Sequence, residues 1–119
     1  METLEALREE VTRFVTEREW QQFHTPKNIA MALTVEAAEL QEHFQWLTPD
    51  ASSELTAEQL EAVADEIADV QVYLVRLADV LGVDLLAACA RKMEKNRAKH
   101  PVELARGRAD KYTRYGSGT

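Results

Sequence analysis

The stretch TAEQLEAVADEIADVQVYLVRLADVLG, residues 56–82, carries the strongest indication of the fold. Thr56 followed three residues later by Gln59 is a capping-box pattern, which marks the start of a helix. Gly82 is the residue type that most often ends one. The stretch therefore predicts a helix over about 57–81. Its apolar stripe consists of Val63, Ile67, Val70, Leu74, Leu77 and Leu81.

Three further helices are predicted outside this stretch. They span about 3–22, 26–47 and 85–99. Thr25 before Pro26 matches a helix N-cap with proline in the first turn, and Asp84 can cap the last helix, which stops before Pro101. The segment LTPDASSEL is expected to be a loop, and residues 102–106 a short turn. Four helices with short connections predict an all-α four-helix bundle.

Composition limits the domain organisation and the class of partner. The chain has 119 residues, of which 45% are hydrophobic, and this fits one domain over 1–119 with a loose tail from about Gly107. The net charge of -7 argues against a DNA or RNA polymer as partner, although a metal ion can bridge acidic side chains to a nucleotide. Cys89 is the only cysteine, and no signal peptide or membrane-spanning run is expected, so the sequence predicts a cytoplasmic protein.

Two acidic pairs have matching positions on two helices. Glu36 and Glu39 lie in VEAAEL, and Glu66 and Asp69 lie in DEIADV. At about 100° per residue, the first acid of each pair lies about 60° from the apolar stripe of its helix and the second about 120°. If the two stripes pack together, four carboxylates converge at one edge of the core.

Clustered carboxylates repel one another, so they require protons or cations. Oxygen ligands without clustered His or Cys favour Mg²⁺, with Mn²⁺ as an alternative, over zinc. A di-iron bundle would place histidine at the second position of two pairs, which is not the case here. Taken from the residues alone, a solvated acidic flank is an equally good interpretation.

Aromatic and histidine side chains near the acidic pairs are candidate nucleotide contacts. Trp20 lies where the first helix gives way to a loop, Trp46 lies near the end of the second helix, and Tyr73 follows Asp69 by four residues. Their rings suit either core packing or stacking on a nucleobase. His24 suits either a polar contact to base or ribose or a solvated helix entry.

The segment RKMEKNRAKH on the fourth helix is basic although the protein is acidic. Lys92 and Asn96 are four residues apart and share one helix face. They can contact phosphate oxygens, or they can belong to a solvated face near a helix C-terminus.

Taken together, these motifs resemble one family. EAAE at 36–39 and EIAD at 66–69 resemble the Glu-x-x-Glu, Glu-x-x-Asp signature of the MazG-like all-α nucleotide pyrophosphohydrolases. The words EREWQQFHTPKN, EHFQW, YLVRLA, VDL, KMEKNR and ARGRADKYT also resemble words that occur in that order in the family. The resemblance extends from about residue 10 to residue 113.

The resemblance implies a fold, an activity and a set of site residues. The fold is the bundle of that family, and the activity is that of a nucleotide diphosphatase, which hydrolyses dCTP-like (deoxy)nucleoside triphosphates to monophosphate and pyrophosphate. Mg²⁺ would be bound by Glu36, Glu39, Glu66 and Asp69. We expect Glu36 or Glu39 to be the general base, because both flank the apolar stripe of their helix. The implied substrate contacts are Trp20, His24, Trp46 and Tyr73 at the base and sugar, and Lys92 and Asn96 at the phosphates. The implied assembly is a homodimer or homotetramer.

Two other functions stay open at this point. One is a noncatalytic helical module, whose acids form a solvated flank or a structural cation site and whose apolar surplus forms an oligomer interface. The other is a sibling enzyme that acts on dUTP or on damaged nucleotides, because an aromatic pocket does not by itself specify its base.

Overall fold

The structure, a computed structural model, describes residues 1–114, and these residues form helices and connecting turns without a β-strand. The helices are α1 Leu4–Glu17, α2 Pro26–Glu42, α3 Pro49–Ser52, α4 Ala57–Leu81, α5 Leu85–Lys99 and α6 Val102–Ala105. Short 3₁₀ turns span Gln21–Phe23 and Tyr112–Arg114. The predicted all-α class with four long helices is confirmed. No helix within these residues is long and apolar enough to cross a membrane.

The predicted helix boundaries hold where a capping residue marks them. The Thr25 side chain accepts a hydrogen bond from the Asn28 backbone N–H at 3.2 Å, and Pro26 occupies the first turn of α2. Thr56 and Gln59 form both hydrogen bonds of the capping box at the start of α4. Gly82 ends that helix with a left-handed φ of 70°.

Two helices end earlier than predicted. Helix α1 stops at Glu17 rather than near 22, because Glu19 takes a left-handed φ of 54° that reverses the chain without a glycine to signal it. Helix α2 stops at Glu42 rather than near 47, and the chain continues through tighter turns up to Thr48. Since Pro49 disfavours a helical conformation at the residue before it, Thr48 leaves the helix and caps α3 instead. The predicted loop thus contains one helical turn.

The chain divides into two compact units, Met1–Val83 and Asp84–Thr119. In the first unit, α4 packs against both α1 and α2. Its buried apolar side chains are Val11, Val15, Ile29, Val63 and Val75. The second unit contains α5, which Asp84 caps as predicted, and α6. A single domain over 1–119 stays a prediction, and the loose tail expected from Gly107 lies in part outside the described residues.

The predicted apolar stripe of α4 is only partly buried. Val63 is 4% exposed, but Ile67 and Leu74 are 54% and 38% exposed. Val75, which lay outside the predicted stripe, is 3% exposed. Exposure therefore varies along the stripe of α4, which packs against both α1 and α2.

Candidate functional site

The acidic side chains of α2 and α4 converge. The carboxylates of Glu36 and Glu39 on α2 and Glu66 on α4 each offer an oxygen, and these oxygens all lie within 4.8 Å of one another. All three side chains are half-buried. Glu36 and Glu39 lie three residues apart and project from neighbouring points of one face of α2, and α4 contributes Glu66. The packing of α2 on α4 thus brings together three of the four carboxylates that were predicted to converge, and Asp69 lies outside this group.

No basic side chain among residues 1–114 forms an ion pair with the cluster. Buried Oε2 atoms of Glu36 and Glu66 have no hydrogen-bond partner among residues 1–114. None of the ion pairs formed by these residues includes Glu36, Glu39, Glu66 or Asp69. Buried oxygens of this kind are costly unless a proton or a cation pairs with them. The donor set therefore fits a hard divalent cation.

The burial of the carboxylates and their close approach raise the pKa of Glu36. Burial raises the pKa of its carboxyl to about 7, and hydrogen bonding with Glu66 and Glu39 and the charges of Glu39 and Asp69 add to the shift. The carboxyl group thus holds a proton at a pH at which an isolated glutamate is ionised. A cation at the cluster would compete with that proton.

Asp69 connects the acidic cluster to a cavity. It is exposed, and its charge acts on Glu36. It also lines a cavity of ≈ 410 Å³ in the first unit, together with Trp20, His24 and Tyr73. The remaining walls are mostly apolar and come from Met1, α1 and α4. Three of the predicted base contacts and one predicted metal ligand therefore share one concave site of a size that suits a small ligand.

The loop after α1 places Trp20 in the cavity wall. With Glu19 in the left-handed region, the Trp20 N–H donates to Val15 O at 3.0 Å and the Glu19 N–H donates to Thr16 O at 3.0 Å. This pair of bonds is a Schellman motif. The Trp20 ring then meets Phe14 edge-on, with ring centroids 5.7 Å apart. The ring is fixed on one side and remains 42% exposed.

Arg76 is a cavity residue that the sequence patterns did not single out. It is 8% exposed, and its Nε donates to Nδ1 of His24 at 3.1 Å. Burial, followed by the charge of Arg76, lowers the pKa of His24. The available signal was a lone arginine in the apolar run YLVRLA with Asp79 three residues later.

Comparison with known proteins agrees with this geometry. Residues 31–114 match the MazG-like family. The chain belongs to the MazG-like family. The matched range contains all four acids of the two pairs, as well as Arg76.

Proteins similar to this MazG-like chain include several that are named as pyrophosphatases. It is 43% identical over 119 residues to dCTP pyrophosphatase 1 of Mus musculus, an alignment covering 98% of this chain and 70% of the relative. It is 41% identical over 118 residues to dCTP pyrophosphatase 1 of Homo sapiens, which covers 98% and 69%. A crystal structure of a pyrophosphatase from Archaeoglobus fulgidus aligns with a TM-score of 0.78 and 42% identity, covering 82% of this chain and 91% of that one.

Trp46, Lys92 and Asn96 are the remaining predicted site residues of the MazG-like chain. Trp46 follows α2, is 88% exposed and does not belong to the cavity wall. Lys92 and Asn96 lie on α5 in the second unit, where Asn96 is half-buried and its Nδ2 approaches Sδ of Met93 at 3.8 Å. Their assignment to base and phosphate contacts stays a prediction.

Proposed function

We propose that this protein is a divalent-metal-dependent nucleotide diphosphatase that hydrolyses dCTP-like (deoxy)nucleoside triphosphates to the monophosphate and pyrophosphate. The observation that carries the proposal is the position of Asp69, which lines the aromatic cavity and is close enough to the acidic cluster for its charge to act on Glu36. A triphosphate needs such an arrangement, because its charged end requires a cation while its base requires an apolar pocket. The relatives named dCTP pyrophosphatase 1 support cytosine as the base.

Glu36, Glu39, Glu66 and Asp69 would hold the cation, with Mg²⁺ as the first choice and Mn²⁺ as the alternative. When bound, the ion neutralises phosphate oxygens and makes a nearby water more acidic. Glu36 or Glu39 accepts the proton of the attacking water, and both flank the position where the oxygens of the cluster meet. In-line attack on the phosphate chain then releases pyrophosphate.

The cavity residues orient the other end of the substrate. Trp20 and Tyr73 offer aromatic surface to the base, and His24 offers a polar contact beside them. Lys92 and Asn96 would contact the phosphates, and Trp46 would complete the base pocket. The mostly apolar walls lower the local dielectric and so strengthen each polar contact that the ligand makes with them.

Product analysis tests the proposal. The purified chain is incubated with each deoxynucleoside triphosphate and Mg²⁺, and the nucleotide products are separated. Formation of dCMP and pyrophosphate from dCTP supports the proposal, whereas dCDP and phosphate would contradict the reaction type. Faster turnover of dUTP or of a 5-substituted cytosine nucleotide would indicate the sibling enzyme. Metal-dependent nucleotide binding without turnover would indicate the noncatalytic module.

We also propose that the protein is a homo-oligomer, as a dimer or a tetramer. Leu60, Ile67 and Leu74 recur every seven residues along α4, and all three are exposed, by 57%, 54% and 38%. An apolar row at this spacing is typical of a helix that pairs with a second helix. A cytoplasmic location is proposed as well, since the single cysteine, Cys89, is exposed and suits a reducing compartment.

A further inference from the structure

Arg76 is the buried charged residue of the described chain, and its burial requires an explanation. It lies in the middle of the apolar part of α4 and lines the cavity together with His24 and Tyr73. Burying a charge costs several kcal/mol unless partners offset it. The partners of this guanidinium therefore indicate what the burial achieves.

The first partner is His24, and the chemistry of the pair fixes the state of the imidazole ring. The Arg76 Nε–H donates to His24 Nδ1 at 3.1 Å. A guanidinium has no acceptor, so Nδ1 must carry its lone pair, and the hydrogen of the neutral ring must be on Nε2. The lowered pKa of His24 favours that neutral ring. His24 therefore keeps one donor, Nε2–H, for a ligand.

The second partner, Asp79, holds the guanidinium in place from outside the cavity. Nη1 of Arg76 lies 3.6 Å from Oδ2 of Asp79. The same carboxylate accepts a hydrogen bond from Thr12 Oγ1 at 3.0 Å and one from Arg8 Nη1 at 3.4 Å. A connected set of side chains thus runs from α1 through Asp79 and Arg76 to His24. Arg76 has little freedom to release the ring.

We propose that Arg76 is a positioning and specificity-determining residue that keeps His24 as an Nε2–H donor, so that the cavity selects a base with a hydrogen-bond acceptor at ring position N3. The inference rests on the proposed function, which makes this cavity the base pocket. Cytosine has a lone pair at N3, whereas uracil has a hydrogen there. A histidine free to change tautomer would accept from uracil, and Arg76 prevents that change.

Nuclear magnetic resonance tests the tautomer directly. Long-range ¹H–¹⁵N correlation spectra of the full chain distinguish protonated from unprotonated ring nitrogens, and His24→Gln assigns the signals. We expect an unprotonated Nδ1 in the wild type, a mixture of tautomers in Arg76→Met, and the wild-type state in Arg76→Lys, because an ammonium group also donates. Asp79→Asn, a change outside the cavity, should increase the fraction of His24 with a protonated Nδ1 by less than Arg76→Met does. Protonated Nδ1 in the wild type would overturn the inference.

Substrate selectivity tests the consequence. In the wild type, replacing dCTP by its 3-deaza analogue, which has C–H in place of N3, should lower kcat/KM by about tenfold or more, because the Nε2–H loses its acceptor. In Arg76→Met, the ratio of kcat/KM for dCTP to kcat/KM for the 3-deaza analogue should fall toward one. The ratio of kcat/KM for dCTP to that for dUTP should fall toward one as well. Equal ratios in the two proteins would refute the assigned role.

A binding experiment tests the role of Arg76 independently of nucleotide hydrolysis. If the wild type hydrolyses no nucleotide, calorimetric binding of cytidine and of 3-deazacytidine replaces the kinetic comparison. Tighter binding of cytidine that Arg76→Met abolishes would still support the role of Arg76. Equal binding of the two nucleosides, or binding of neither, would reject it.

Discussion

Glu36 on α2 and Glu66 on α4 each have a buried carboxylate oxygen without a hydrogen-bond partner among residues 1–114, and both belong to one cluster of oxygens within 4.8 Å. Folding brings these two side chains together against their mutual repulsion. The apolar contacts between α2 and α4 must offset that cost when no cation is present. Without a bound cation, this pair of carboxylates therefore lowers the stability of the folded chain.

Removing one of these charges should therefore have opposite effects with and without metal. At pH 8, where Glu36 is mostly ionised, Glu66→Gln should raise the melting temperature in EDTA because it removes repulsion, and it should reduce the stabilisation by Mg²⁺ by more than half. In the wild type, a cation at 100 times its Kd contributes about 2.7 kcal/mol. Differential scanning fluorimetry with and without Mg²⁺ or Mn²⁺ measures both effects.

The control for this experiment is Asp65→Asn, which removes an exposed carboxylate next to Glu66 in the sequence. It should leave the response to metal unchanged. If Asp65→Asn and Glu66→Gln reduced the response equally, the effect would come from net charge and not from the cluster.

Stability without metal should also depend on pH through Glu36. Its folded pKa of about 7 lies above the ordinary value of 4.5, so the folded state binds more protons than the unfolded state between these values. Unfolding free energy contributed by this group therefore falls as pH rises from about 5 to above 7. Melting curves in EDTA between pH 5 and pH 8 measure the slope.

Glu36→Gln should flatten this dependence, and the difference between the two proteins isolates the carboxyl from other groups. His24, for example, acts in the opposite direction, because its folded pKa is lowered and the unfolded state takes up its proton first as pH falls. Identical slopes for wild type and Glu36→Gln would mean that Glu36 titrates normally.

Catalysis should depend on the carboxylates of α2. Glu39→Gln keeps the size of the side chain but can neither accept a proton nor contribute charge to a cation. We expect kcat with dCTP to fall by about 10²-fold or more, the usual effect of losing a general base. The matched control is Glu42→Gln, an exposed position three residues later on the same helix. Full activity of Glu39→Gln would remove that residue from the catalytic set.

Gly82 ends α4 in a Schellman motif like that at Glu19, since the Val83 N–H donates to Ala78 O and the Gly82 N–H donates to Asp79 O. The two motifs allow a paired test of backbone strain. Gly82 and Glu19 both take a left-handed φ, and the space around the Gly82 Cα is open. A non-glycine residue pays about 1–2 kcal/mol for this conformation. Gly82→Ala should therefore lower stability by about that amount, and Glu19→Gly should raise stability by less, because glycine also loses more chain entropy.

Thermal unfolding in EDTA measures both changes, and Glu17→Gly is the control. Glu17 is the last residue of α1, where glycine adds chain entropy to the unfolded state without relieving a left-handed φ. Destabilisation by Glu19→Gly as large as that by Glu17→Gly would show that the left-handed turn carries no strain.

The sequence predicted most of this architecture because the cues were local. Thr25, Thr56 and Gly82 each satisfy backbone groups at a helix end, and each acts within four residues of chain. The acidic cluster was predictable for a related reason, since the matched offsets on two helices leave few ways to pack their apolar stripes without bringing the acids together.

What the sequence did not predict depends on contacts between distant residues. The left-handed Glu19 has no glycine to mark it, so the end of α1 was placed too late. Arg76 looked like one more helical residue, because its partner His24 is 52 positions away. The burial of Val75 and the exposure of Ile67 depend on which helices approach α4 at each level, and periodicity within one helix contains no such information.

The exposed row on α4 leads to a prediction about assembly. Ile67 lies at the middle of the row formed with Leu60 and Leu74, and more than half of its surface is exposed. If the row pairs with a second copy, a lysine at position 67 would be buried without a partner, which costs several kcal/mol at such an interface. We expect Ile67→Lys to lower the mass in solution, measured by sedimentation or by light scattering after gel filtration.

Asp65→Lys introduces the same side chain on the opposite face of α4 and should leave the mass unchanged. Dissociation by both variants would point to net charge, and a monomeric wild type would reject the proposed oligomer.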